Sequence, residues 1–188
     1  MKTALDPRHV ARQKAVQDLF ASSFHKQKGG SDLAGKIADH LSTIDKVITE
    51  SAPEFSVERI NPVDLAILRL GVYELLVSPV EPSKAILDEA VELAKEFGGD
   101  NSPAFVNGAL GKVLVSPLRT RRLIAENLGV EDKHVVPEAN LRRELNATDL
   151  EIADLLGRLE RDLSLEFKNV KEFNTVGDIL DYIEDQKD

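Results

Sequence analysis

The chain has 188 residues, 42% apolar and 30% charged, with a net charge of −9. That length admits one large domain or two small ones, and an apolar share near the globular average without low-complexity tracts excludes wholesale disorder. The absence of cysteine excludes disulfides, thiolate metal sites and cysteine nucleophiles.

Charge is unevenly distributed. Residues 1–28 hold six cations (Lys2, Arg8, Arg12, Lys14, Lys26, Lys28) against Asp6 and Asp18, whereas residues 119–188 hold 11 cations and 17 acids. Asp6-Pro7 predicts a helix start, because an N-cap side chain accepts from an orphan N–H and proline needs none at the first helical position. A helix to about Phe24 buries Ala11, Ala15, Val16, Leu19 and Phe20 and exposes Arg8, Arg12 and Lys14, with Gly29-Gly30 ending it. Ser31 opens one amphipathic segment whose seam is Leu33, Ile37, Leu41, Ile44 and Ile48. Asn61-Pro62 starts a helix over Val63 to Val77 that is apolar on nearly every side, the pattern of a central core helix. Ser83 to Phe97 is amphipathic and is closed by Gly98-Gly99 in a left-handed C-cap. Ser102-Pro103 opens the next helix, buried through Phe105, Val106, Ala109, Leu110, Val113 and Leu114 and stopped at Ser116-Pro117. Beyond it come Leu123, Ile124 and Leu128. Two capping boxes follow: Thr148 with Glu151 ahead of Leu150, Ala153, Leu156 and Leu159, and Thr175 with Asp178 ahead of Ile179, Tyr182 and Ile183. No segment alternates as a strand and no internal repeat is present. The expectation is an all-α chain of two domains, 1–116 and 119–188.

Catalytic chemistry has no foothold in this pattern. His9, His25, His40 and His134 are scattered without metal-ligand spacing, and neither glycine pair has the continuation of a phosphate loop. Adjacent acids such as Asp88-Glu89 point in different directions on a helix. No metal and no cofactor is expected. No apolar run approaches the roughly 18 residues of a membrane span, and the N-terminus lacks a signal peptide's apolar core, so no membrane contact and a cytoplasmic location are expected.

Three ordered blocks, Val63-Asp64-Leu65-Ala66-Ile67-Leu68-Arg69-Leu70-Gly71-Val72-Tyr73-Glu74, Ile86-Leu87-Asp88-Glu89-Ala90-Val91-Glu92-Leu93-Ala94-Lys95-Glu96-Phe97-Gly98 and Phe105-Val106-Asn107-Gly108-Ala109-Leu110, resemble the NusB family of transcription antitermination factors. Arg12-Gln13-Lys14-Ala15-Val16-Gln17-Asp18-Leu19-Phe20 is similar to that family's arginine-bearing first helix, so the resemblance covers residues 1 to about 116. It implies a non-catalytic helical bundle that binds boxA-like single-stranded RNA together with a small-subunit ribosomal protein (NusE) within an antitermination complex. Single strands are held by cations on phosphates and aromatic faces under bases, and Arg8, His9, Arg12, Lys14 and Phe20 supply both types on one helix. The resemblance adds Asn101 and Phe105 to the RNA face and Glu58 and Asp64 to the ribosomal-protein face. Periodicity by itself reads Phe20 and Phe105 as core, and Glu58 and Asp64 as exposed acids flanking a helix start.

Residues 119–186 resemble an acyl carrier protein through Leu123-Ile124-Ala125-Glu126-Asn127-Leu128-Gly129-Val130, Leu145-Asn146-Ala147-Thr148-Asp149-Leu150-Glu151-Ile152 and Thr175-Val176-Gly177-Asp178-Ile179-Leu180-Asp181-Tyr182-Ile183. That family's Asp-Ser-Leu motif falls on Thr148-Asp149-Leu150. Phosphopantetheine is attached through a serine hydroxyl, and the Asp149 carboxylate cannot form that phosphodiester. The expected unit is a carrier-like interaction module with an unidentified partner. Two alternatives are a carrier or regulatory subunit of acyl or peptide synthesis, against which the missing serine counts, and the RNA-targeting domain of a NusB-like RNA methyltransferase.

Overall fold

A computed structural model of the chain describes residues 6–24, 30–53, 56–79, 81–163, 165–168 and 172–186. Lys2, His25, Lys26, Lys28 and Gly29 lie outside the described residues. Packing divides the chain into two compact units, Met1–Val113 and Leu114–Asp188. Among the described residues there is no strand, only an isolated antiparallel bridge between Asn140 and Thr175, and the fold is all-α.

The first unit contains α1 (Pro7–Ser22), α2 (Asp32–Ala38), α3 (Leu41–Ser51), α4 (Pro62–Leu76), α5 (Ser83–Phe97) and α6 (Ser102–Leu114). Asp6 and Asn61 cap α1 and α4 by accepting from the N–H groups of Arg8 and Val63, each at 2.9 Å. α4 is the central helix and packs against α1, α3 and α5. Its residues Ile67, Leu68, Leu70 and Val72 are all fully or almost fully buried. Burial of each such side chain contributes about 1.5–3 kcal/mol, which is why a helix apolar all round takes the middle.

Three local expectations are corrected. The seam predicted from Leu33 to Ile48 is two helices, because the backbone turns at Asp39 and His40. Gly98 does not adopt a left-handed cap; its backbone is extended, with φ −92° and ψ −174°. Glycine is needed there for another reason, since a Cβ would stand 2.4 Å from Ser102 Cβ and 2.7 Å from the Ala94 carbonyl oxygen. Ser102 is the first residue of α6 rather than its cap, and its hydroxyl accepts from the Gly99 N–H at 2.9 Å. Together these contacts fold the α5–α6 connection tightly and fix where α6 begins.

The second unit contains α7 (Pro117–Leu128), α8 (Asp149–Leu163) and α9 (Val176–Asp185), with a short 3-10 turn at Asp132–His134. Gly129 ends α7 with φ +65°, the left-handed conformation that glycine tolerates best. Thr148 and Glu151 form the first capping box, and the Glu151 carboxyl sits below its ordinary pKa because the Thr148 backbone N–H donates to it. Thr175 and Asp178 form the second. The core joins Ile124, Leu141, Ile152, Leu155, Leu159, Val176 and Ile179. Phe167 and Phe173 belong to the same core and Tyr182 packs against it, with ring centroids 4.9 to 5.5 Å apart. Leu150, expected on the buried stripe, is 80% exposed. It follows Asp149 in the first turn, while the inward face is set by Ile152, Leu155, Leu156 and Leu159.

Candidate nucleic-acid interface

Helix α1 presents its cations unequally. Arg8 is exposed and lies 3.1 Å from Glu81, and Lys14 is exposed and pairs with Asp18 at 2.7 Å. Arg12, expected on the surface, is 7% exposed. Its position falls on the face that α1 turns toward α4, where the long stem packs and the head meets acids. Its Nε donates to both Glu74 carboxylate oxygens, at 2.8 and 3.1 Å, and its Nη2 is 3.3 Å from Glu81. Burial acts to lower the pKa of this guanidinium, but Glu74, Glu81 and Glu89 hold it above its ordinary value. At Glu74 burial outweighs Arg12 and pushes the carboxyl up.

His9 is half-buried, with Nδ1 hydrogen-bonded to Glu89 and Nε2 3.5 Å from Glu96. Gln13 donates to Glu96 at 2.7 and 2.9 Å. The acids of α4, α5 and the segment joining them thus form a counter-charged wall along α1. Spacing within α1 could not reveal this wall, because its members are more than 60 residues away in sequence.

Phe20 is half-buried and meets Phe24 edge-on at 5.1 Å. Phe24 is 58% exposed, an aromatic face that helical periodicity did not single out.

Asn101 and Phe105 come together elsewhere. With Asp64, Arg59, Asn61 and Asp100 they line an open cavity of about 380 Å3 at the first turns of α4 and α6. Asp64, expected as an exposed acid, is 8% exposed, and its Oδ1 is buried without a hydrogen-bond partner. The cause is its place in the first turn of α4, where α6 begins alongside. Phe105 is half-buried at the cavity wall, so neither a pure core nor a pure surface description fits it. Arg8 and Arg12 line a separate cavity of about 220 Å3 with Tyr73, Glu74 and Glu81. Glu58 is exposed in a 3-10 turn (Val57–Arg59), and its own backbone N–H and the Ser56 hydroxyl hold its carboxyl below the usual range.

In the second unit Asp149 is the first residue of α8 and accepts from Arg142 Nε at 2.9 Å, while Arg142 Nη1 donates to the Phe173 carbonyl at 2.9 Å. A carboxylate in a first helical turn is stabilised by the helix dipole. The pair ties the start of α8 to the segment before α9. Among the described residues, no group of three or more His, Asp or Glu is placed to hold a metal ion, and no helix is long and apolar enough to cross a membrane.

Two family models match in sequence order: the NusB family over residues 25–115 and the phosphopantetheine attachment site over residues 119–183. The transcription antitermination protein NusB of Chloroflexus aggregans is 51% identical over 85 residues, which span 44% of this chain and 57% of that protein. The Roseiflexus sp. protein of the same name is 51% identical over 86 residues, and the chain spans 60% of it. NusB of Sorangium cellulosum is 42% identical over 146 residues, covering 67% of this chain and 96% of that protein. The solved structure of T. maritima NusB superposes with a TM-score of 0.54 at 30% identity, covering 57% of this chain and 90% of that one. With 38% identity to Geobacillus kaustophilus NusB along 94% of that protein's length, the chain belongs to the NusB family and continues into a second unit similar to an acyl carrier domain.

Proposed function

We propose that the protein is a non-catalytic transcription antitermination factor of the cytoplasm that holds boxA-like single-stranded RNA together with a small-subunit ribosomal protein. The observation that carries this reading is the cavity in which Asn101 and Phe105 stand side by side, on a chain whose relatives bear the antitermination name. An amide and an aromatic wall are the groups that read and stack an unpaired base. Arg8 and Lys14 are the exposed cations of α1 and serve the phosphates; Phe20 extends the aromatic surface. His9 and Arg12 hold α1 against the acids behind it and shape that face from within. Glu58 is the exposed acid for the ribosomal protein, whereas Asp64 is almost wholly buried. The carrier-like unit is an interaction module, because Asp149 offers no hydroxyl to carry an arm.

Fluorescence anisotropy with a boxA-like strand tests the reading. If three or four phosphates are neutralised, log K falls against log salt with a slope of roughly −2 to −3. Arg8→Glu with Lys14→Glu flattens that slope and weakens binding. Unchanged affinity and slope in the double variant would remove α1 from the RNA site.

A further inference from the structure

Every basic side chain of α1 faces a carboxylate of its own chain, and in the two exposed pairs the acid is the fixed member. The Arg8 side chain is 71% exposed, and its Nη1 lies 3.1 Å from Oε1 of Glu81, whose side chain is only 17% exposed. The other Glu81 oxygen is held from behind, 3.3 Å from Nη2 of the buried Arg12. Lys14 repeats the arrangement: it is 60% exposed and stands 2.7 Å from Oδ1 of Asp18, which is 14% exposed. Asp18 Oδ2 accepts from the Ser31 N–H at 2.7 Å, so this acid too has a second anchor. An exposed pair with two loose members opens readily and contributes little. Here only the cation is loose. A phosphate approaching Arg8 or Lys14 must part it from an acid that stays in place. The two negative groups are then left close together, well inside the screening length of about 8 Å at physiological salt.

We propose that Glu81 and Asp18 are resident competitors for strand phosphates that set the specificity of this face, weakening each phosphate contact of α1 so that phosphates alone do not retain a strand. Non-specific nucleic-acid binding is built from such contacts. Damping them suppresses the capture of arbitrary polyanions and leaves retention to base contacts and to the ribosomal protein. The inference rests on the RNA-binding reading above but goes beyond it, since it gives two acids, neither of them in contact with RNA, control over what is held. Asp6 also stands 3.5 Å from Arg8 Nε, but it caps α1. Glu81 and Asp18 are therefore the positions at which competition is removed without removing that cap.

The test measures binding of a labelled oligouridine strand to the full chain by anisotropy at low salt. Glu81→Gln and Asp18→Asn each raise affinity about threefold, the scale of a surface ion pair, and the double variant multiplies the two gains. Each freed cation steepens the dependence of log K on log salt by about 0.7. Asp88→Asn removes the same charge from an exposed acid that has no ion pair among the described residues, and it stays within about 1.5-fold of the wild type. Arg8→Ala abolishes the gain of Glu81→Gln but not that of Asp18→Asn. Circular dichroism and a thermal melt establish that each variant is folded, and if one of the two fails to fold the other carries the test. Three results overturn the proposal while RNA binding by the wild type stands: gains no larger than that of Asp88→Asn, a Glu81→Gln gain that survives Arg8→Ala, or a gain seen with a boxA-like strand and not with oligouridine. If neither the wild type nor any variant binds either strand at low salt, the RNA reading falls and the competition with it.

Discussion

Arg12 shows how a single side chain can be an anchor while looking like a contact. Its guanidinium is enclosed by Glu74 and Glu81, and removing one partner from a buried pair strands the other. Breaking such pairs costs about 3–5 kcal/mol. Arg12→Ala should therefore lower the unfolding free energy measured by urea titration by that margin, and Arg12→Lys should recover part of it without the two-oxygen contact to Glu74. A loss below about 1 kcal/mol in Arg12→Ala would mean that solvent screens the pair. The arginine was legible as a feature of the first helix, but its burial was not. Periodicity assigns a face from apolar residues, and a polar residue on the buried face registers only when its distant partners are known. Asp64 was hidden in the same way: nothing in Asn61-Pro62-Val63-Asp64 announces that α6 will begin beside it.

At the scale of elements, local chemistry was readable and close approach was not. The caps at Asp6, Asn61 and Thr175 follow from side chains that accept backbone N–H groups nearby, so residues adjacent in sequence sufficed. Gly98 required a contact between the end of one helix and the start of the next, which no local rule contains. Gly98→Ala should force Ser102 and the Ala94 carbonyl apart at a cost of about 1–3 kcal/mol, typical of overpacking. Because the same connection sets the first turn of α6, the variant should also weaken RNA binding through displaced Asn101 and Phe105. Thermal denaturation and anisotropy on one preparation would check both effects, and a neutral result in the melt would remove the packing argument. The exposure of Leu150 teaches the related lesson that a capping box locates a helix start without telling which first-turn residues face inward.

For the whole molecule, the two units differ in what sequence could reveal. Ordered motifs were dense enough in the first half to give its family, and the carrier-like half was recognisable despite the aspartate at its defining position, because its fold rests on apolar positions around that residue. What the second half meets in the cell is not encoded in its core. One property of the composition makes the units separately observable. The chain has no tryptophan and two tyrosines, and each unit owns one of them: Tyr73 lies beside His40, and Tyr182 is packed among Phe167 and Phe173 with its hydroxyl donating to the Glu166 carbonyl. Nature has thus supplied a built-in optical label for each half, free of any dominant indole signal. Tyr73→Phe leaves ultraviolet emission that reports the second unit alone, and Tyr182→Phe does the reverse. Melts followed in the two variants should give different midpoints, each matching one step of a two-step calorimetric trace, whereas coincident midpoints would show that the halves unfold as one cooperative body.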